Sequence, residues 1–168
     1  MKNQKLRILV FLALMTAIIF ISTFFLKLPV TNGYVHLGDG MIFLASICVG
    51  YIACIPAILG SCMADLFGGY MVYAPVSFVV KGLMSFIAAL AYKKNSQDKF
   101  YYPKNIILFV FAETLMILGY FVFEYFFYGA SAATVGIAFN LTQGITGVIA
   151  GIFMIPFAQK IKTHFTLY

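Results

Sequence analysis

Gly40-Met-Ile-Phe-Leu-Ala-Ser-Ile-Cys-Val-Gly50-Tyr-Ile-Ala-Cys-Ile-Pro56-Ala-Ile-Leu-Gly60-Ser-Cys-Met-Ala64 contains no charged residue, and the fold turns on how often it crosses a bilayer. It is either one long helix or two short ones, since a span takes roughly 20 residues. Gly50 and Pro56 lie inside it, and both weaken a continuous helix. Basic residues elsewhere in the chain decide between the two, because Lys and Arg favour cytoplasmic loops. They cluster at Lys2, Lys5 and Arg7, across 93–104 (Lys93, Lys94, Lys99 and Lys104 against Asp98), and at Lys160 and Lys162. Splitting the stretch into helices at 38–50 and 53–67 gives six spans and places all three clusters on the cytoplasmic side. A single helix gives five spans and leaves two clusters outside. The sequence therefore predicts an all-α membrane protein, a six-transmembrane-helix bundle with cytoplasmic N- and C-termini. The other spans are 8–26, 76–92, 105–128 and 134–157, so residues 1–168 form a single integral membrane domain.

Composition agrees. Of 168 residues, 63% are hydrophobic and 10% charged, with a mean hydropathy of +1.00. A soluble domain carries about 25% charged residues. Ordinary soluble enzymes and secreted disulfide modules are thereby excluded, and the net charge of +6 has no dense basic face with which to hold a nucleic acid. Cys48, Cys54 and Cys62 lack metal-site spacing and read as small buried hydrophobes. The apolar run Ile8–Leu26 exceeds a signal-peptide core and ends without a small-residue cleavage site, so it reads as a retained first helix. No repeat, low-complexity tract or soluble domain is visible.

Ionisable residues within spans are costly and usually face a cavity or one another. Lys81 lies roughly 9 Å, and Glu124 roughly 6 Å, inward from the outer ends of their helices at a rise of 1.5 Å per residue. Asn140 is about six residues into the last helix, and Gln143 follows one turn deeper on the same face. Three helices thus bring four polar side chains into one outer layer, the outline of an outward-facing pocket. A structural Lys81–Glu124 pair is the competing explanation. Glu113 shares the face of Glu124 but sits in the inner half, too deep for that pocket, and reads as a packing or coupling residue. The outer loops add Tyr34, His36 and Asp39, then Asp65, Tyr70 and Tyr73. Small-residue spacings at Ala13/Ala17 and Gly147/Gly151 allow close helix contact.

Several catalytic signatures are missing from the sequence. It has no G-x-x-x-x-G-K-[ST] loop, no H-E-x-x-H helix and no G-x-S-x-G elbow.

The run Tyr34-Val-His-Leu-Gly-Asp-Gly-Met-Ile-Phe-Leu-Ala45, then Gly60-Ser-Cys-Met-Ala-Asp-Leu-Phe-Gly-Gly-Tyr70, Tyr73-Ala-Pro75 and Val80-Lys-Gly-Leu83 resembles the substrate-binding S components of energy-coupling factor (ECF) vitamin transporters. The motif-level likeness covers about residues 10–90, and the last two helices match in pattern. The resemblance implies a binding subunit, not an enzyme, in a multi-pass bacterial plasma-membrane complex. It implies capture of a vitamin by Lys81, Glu124, Asn140, Gln143, Asp65, Tyr73, His36 and Asp39. It also implies docking through Ala13 and Ala17 on a transmembrane coupling subunit, with two ATPase subunits consuming ATP and no cofactor or metal in this chain. The Gly-Asp and Ala-Asp-Leu-Phe-Gly-Gly-Tyr motifs look most like the group assigned to hydroxymethylpyrimidine and pyridoxine, with riboflavin-type members next. A stand-alone gradient-driven transporter and a small membrane enzyme are the alternatives from other classes.

Overall fold

The structure, a computed structural model, describes residues 2–30, 34–92 and 101–164. The α-helices, in order, are α1 (Lys2–Phe24), α2 (Gly38–Val49), α3 (Cys54–Phe67), α4 (Ala74–Ala89), α5 (Tyr101–Tyr128) and α6 (Ala130–His164). A small antiparallel pair, β1 (Lys27–Pro29) and β2 (Tyr34–His36), joins α1 to α2. Among the described residues, five stretches are long and apolar enough to cross a bilayer: Gln4–Phe24, Gly38–Phe67, Met71–Ala89, Tyr102–Tyr128 and Ala130–Ile161.

The second of these stretches is not one rod. A straight helix of its 30 residues would be about 45 Å long. Yet Tyr34, just before it, hydrogen-bonds to Asp65 near its far end. The chain reverses through a 3-10 turn at Gly50–Ala53, where Gly50 takes a φ of 68° that a side chain would oppose. Pro56 falls in the first turn of α3, where a helix has no use for the missing N–H.

Other boundaries move from those the sequence suggests. The expected small-residue turn 129–133 shrinks to Gly129 (φ 86°), because Ala130, Ala132 and Ala133 are good helix formers and join α6. That helix runs on through Pro156 to His164, so Lys160 and Lys162 stand on a helix and not in a tail. α5 begins at Tyr101, and Lys104 in its first turn donates to the Leu90 carbonyl at 2.7 Å. The rest of the expected basic loop, 93–100, lies outside the described residues. The hairpin β1–β2 replaces what reads in sequence as a plain polar loop.

Helix α6 packs on α5 and α2, α3 on α1 and α4, and α4 on α5. The core holds Phe43, Met84, Phe109, Met116 and Ile155, with the Phe43 and Phe109 rings stacked 4.2 Å apart. Gly151 makes room for that stack, since a Cβ there would come within 2.7 Å of Phe43 and 3.0 Å of Phe109. Gly147 similarly admits the Glu113 carboxylate, so this spacing serves packing inside the bundle. Large apolar side chains such as Leu9, Phe111, Phe126 and Phe153 face outward, as surfaces that meet lipid tails do. Cys48 is buried, whereas Cys54 and Cys62 are half-buried and direct their thiols to the Gly82 and Ala74 carbonyls.

Candidate ligand-binding site

The C-terminal ends of α1, α3 and α5 meet the N-terminal ends of α2, α4 and α6 around a cavity of about 40 Å³. Helices α1, α3, α4, α5 and α6 each bring a polar side chain to its lining, because the chain reverses between them, while α2 stands behind it.

The cavity floor is a closed polar network. Lys81 Nζ pairs with Asp39 Oδ1 at 2.7 Å, both side chains fully buried. Gln143 Nε2 donates to Asp39 Oδ2 at 2.8 Å, and its Oε1 accepts the His36 backbone N–H at 3.3 Å. Lys81 also lies over the Tyr120 ring, 5.5 Å from its centroid. The partner of Lys81 is thus Asp39 and not Glu124. Asp39 reads in sequence as a loop residue, but it occupies the first turn of α2, where a negative charge is favoured by the helix dipole. It lies behind Lys81 and Gln143, off the cavity lining.

His36 reaches the lining from β2. Its Nδ1 accepts the Gly38 N–H at 3.0 Å, so the neutral ring carries its proton on Nε2. Burial, aided by Lys81 and opposed by Asp39, lowers its pKa to about 4, and the ring is neutral at pH 7. The Tyr34 phenol is pushed well above its ordinary range by burial and the Asp65 carboxylate.

The walls are less complete. Tyr34 donates to Asp65 Oδ1 and Tyr73 to Glu124 Oε1 at 3.3 Å. The second oxygens, Asp65 Oδ2 and Glu124 Oε2, are buried without a hydrogen-bond partner, as are Asn140 Nδ2, Thr23 Oγ1 and Ser61 Oγ. Buried polar groups are nearly always paired in native proteins. These five atoms belong to residues that line one cavity, where they are open to water or to a polar ligand.

Above the cavity, Lys27 of β1 sits over the rings of Phe24, Tyr34 and Tyr70 at 4.4, 5.2 and 5.5 Å, holding the hairpin to α1 and to the turn after α3. Glu113 is buried near Asp39, against Gly144 and Gly147, and both its oxygens lack a hydrogen-bond partner. It does not line the cavity, in keeping with its depth along α5. Ala13 and Ala17 are exposed on α1.

Lys81, Glu124, Asn140, Gln143, Asp65, Tyr73 and His36 all line the cavity. Sequence reasoning missed Ser61, Ser77, Tyr120 and Gly136, which line it too. Each stands four residues before Asp65, Lys81, Glu124 or Asn140, one helical turn away on the same face. That spacing was the available signal.

Helices long and apolar enough to cross a bilayer, packed around a polar cavity at one end, define a bundle of membrane-protein type with an internal polar cavity. Over residues 3–161 the chain matches the family described as ECF-type riboflavin transporter, S component. It belongs to that family, which consists of transport subunits and not enzymes. S components associate with the coupling and ATPase subunits of an ECF module. A protein of Pyrococcus woesei, described as an uncharacterized protein in a gap 3′ region, is 28% identical over 127 residues, covering 75% of this chain and 82% of its own.

Proposed function

We propose that this chain is the substrate-binding subunit of an ECF-type importer, crossing the cell membrane six times with both termini cytoplasmic. It takes a water-soluble vitamin from outside, while coupling and ATPase partners drive uptake. The observation that carries this reading is the ring of unpaired buried polar atoms on Asp65, Glu124 and Asn140. Each is a buried donor or acceptor that a polar ligand can pair, in a hydrogen bond worth about 0.5–1.5 kcal/mol, or about 1.5–3 kcal/mol where one partner is charged.

The substrate is of hydroxymethylpyrimidine or pyridoxine type. Such a ring stacks against Tyr73 or Phe139 and pairs its ring nitrogen and hydroxymethyl groups with Asn140, Gln143 and Glu124. A cavity of about 40 Å³ holds about three waters, so even a single ring requires the wall to yield, and a small ligand asks least of it. Riboflavin is the second reading, favoured by the family's description.

Glu124→Gln and Asn140→Ala in the purified protein should each weaken binding of the preferred vitamin at least tenfold, one lost hydrogen bond to a charged or buried group being worth about 1.5–3 kcal/mol. Titration calorimetry against hydroxymethylpyrimidine, pyridoxine and riboflavin measures this and names the substrate. Unchanged affinity in both variants would remove the pocket assignment.

A further inference from the structure

The cavity lining presents two carboxylates and one ammonium, and the ammonium is already spent. Lys81 Nζ is held at 2.7 Å by Asp39, whose other oxygen is occupied by Gln143. Among the described residues, no other cationic side chain lines the cavity; Lys27 lies outside it against three rings. Asp65 and Glu124, 3% and 5% exposed, each use one oxygen on a tyrosine and leave the other unpaired. The unpaired donors are weaker and neutral: Asn140 Nδ2 and the His36 Nε2–H, whose neighbour at 3.4 Å, Gln143 Nε2, is committed as a donor to Asp39.

We infer that this cavity selects a neutral or cationic ligand with at least two hydrogen-bond donors and excludes anionic forms, above all the phosphorylated form of the same vitamin. The inference rests on reading the cavity as a vitamin site and adds the charge of what enters it. A phosphomonoester brings a charge of about −1.5 to −2 at pH 7 into a buried space with no free cation to meet it. Burying an unpaired charge is strongly unfavourable. If Asp65 and Glu124 are ionised they repel the anion; if they are protonated they still offer it no countercharge. Hydroxyl, amino or ring N–H groups, by contrast, satisfy Asp65 Oδ2 and Glu124 Oε2 directly. A ring nitrogen suits Asn140 or His36.

The test is a set of matched pairs measured by calorimetry at pH 7.5 on the purified full chain: pyridoxine with pyridoxine 5′-phosphate, hydroxymethylpyrimidine with its phosphate, and riboflavin with flavin mononucleotide. For whichever vitamin binds, the phosphorylated partner should bind at least 100-fold more weakly. Equal or tighter binding of the phosphorylated form overturns the inference while leaving the vitamin-binding reading intact. Failure of every unphosphorylated compound to bind overturns both. A second arm uses Asp39→Asn, which frees Lys81 to face the cavity. In that variant the disadvantage of the phosphorylated partner should shrink at least tenfold. If the variant folds and the ratio is unchanged, Lys81 neutralisation is not the basis of selection.

Discussion

At the residue scale, the Asp39–Lys81 pair is the structural centre of the pocket. Breaking a buried pair strands a charge, at a cost of about 3–5 kcal/mol. Lys81→Met should therefore lower the unfolding temperature sharply, and Asp39→Leu/Lys81→Met should recover part of the loss. Thermal unfolding in detergent reads both, and a double variant no better than the worse single would contradict the pairing. His36 gives a pH signature. Its folded pKa is lowered to about 4 from an ordinary 6.5, so the unfolded chain binds the extra proton first as pH falls. Its stabilising effect is complete above about pH 6.5 and is lost as pH drops towards 4, by up to about 3 kcal/mol. The gap in unfolding temperature between the native chain and His36→Gln should narrow across that window; a constant gap would mean that His36 is not buried neutral. Lys81 was legible as a polar residue facing inward, but its partner was not. Depth along one helix says nothing about which neighbour faces it, and Asp39 comes from an element 42 residues away in sequence.

At the element scale, the reversal at Gly50 and the one-residue turn at Gly129 set the order in which helix ends reach the pocket. The first was readable, because Gly50, Pro56 and the distribution of Lys and Arg pointed the same way. The second was not, because a cluster of alanines and a serine resembles a turn in composition while favouring a helix in conformation. The β1–β2 hairpin escaped for a different reason: three-residue strands carry too little periodicity to separate from a loop. Helix α1 offers a separate face. Ala13 and Ala17 are exposed there, one turn apart, and small residues so placed allow another helix to approach closely. Replacing both with Leu or Phe should leave vitamin affinity within about twofold, since neither lines the cavity. ATP-driven uptake with the coupling subunits should be abolished. Measured in vesicles carrying the whole complex, uptake that persists would show that this face is not the docking surface.

At the scale of the whole molecule, the scarcity of charge becomes a division of labour. Among the described residues, Lys5, Arg7, Lys104 and Lys160 stand toward the helix ends opposite the cavity, and the acidic residues concentrate within the bundle. Asp39 neutralises Lys81, Glu113 lies beneath that pair, and Asp65 and Glu124 are left facing the cavity. Membership of a transport-subunit family and an interior cavity with unpaired polar walls point to the same role, capture without chemistry. Native mass spectrometry of the purified full chain, taken before and after addition of a vitamin panel, tests that role most directly. One small heterocyclic vitamin should be bound per chain, retained through purification or taken up from the panel. This adduct should disappear in the Asp65→Asn/Glu124→Gln variant. A folded chain that carries no small molecule and takes up none, or one that keeps its adduct in that variant, would rule out capture by this cavity.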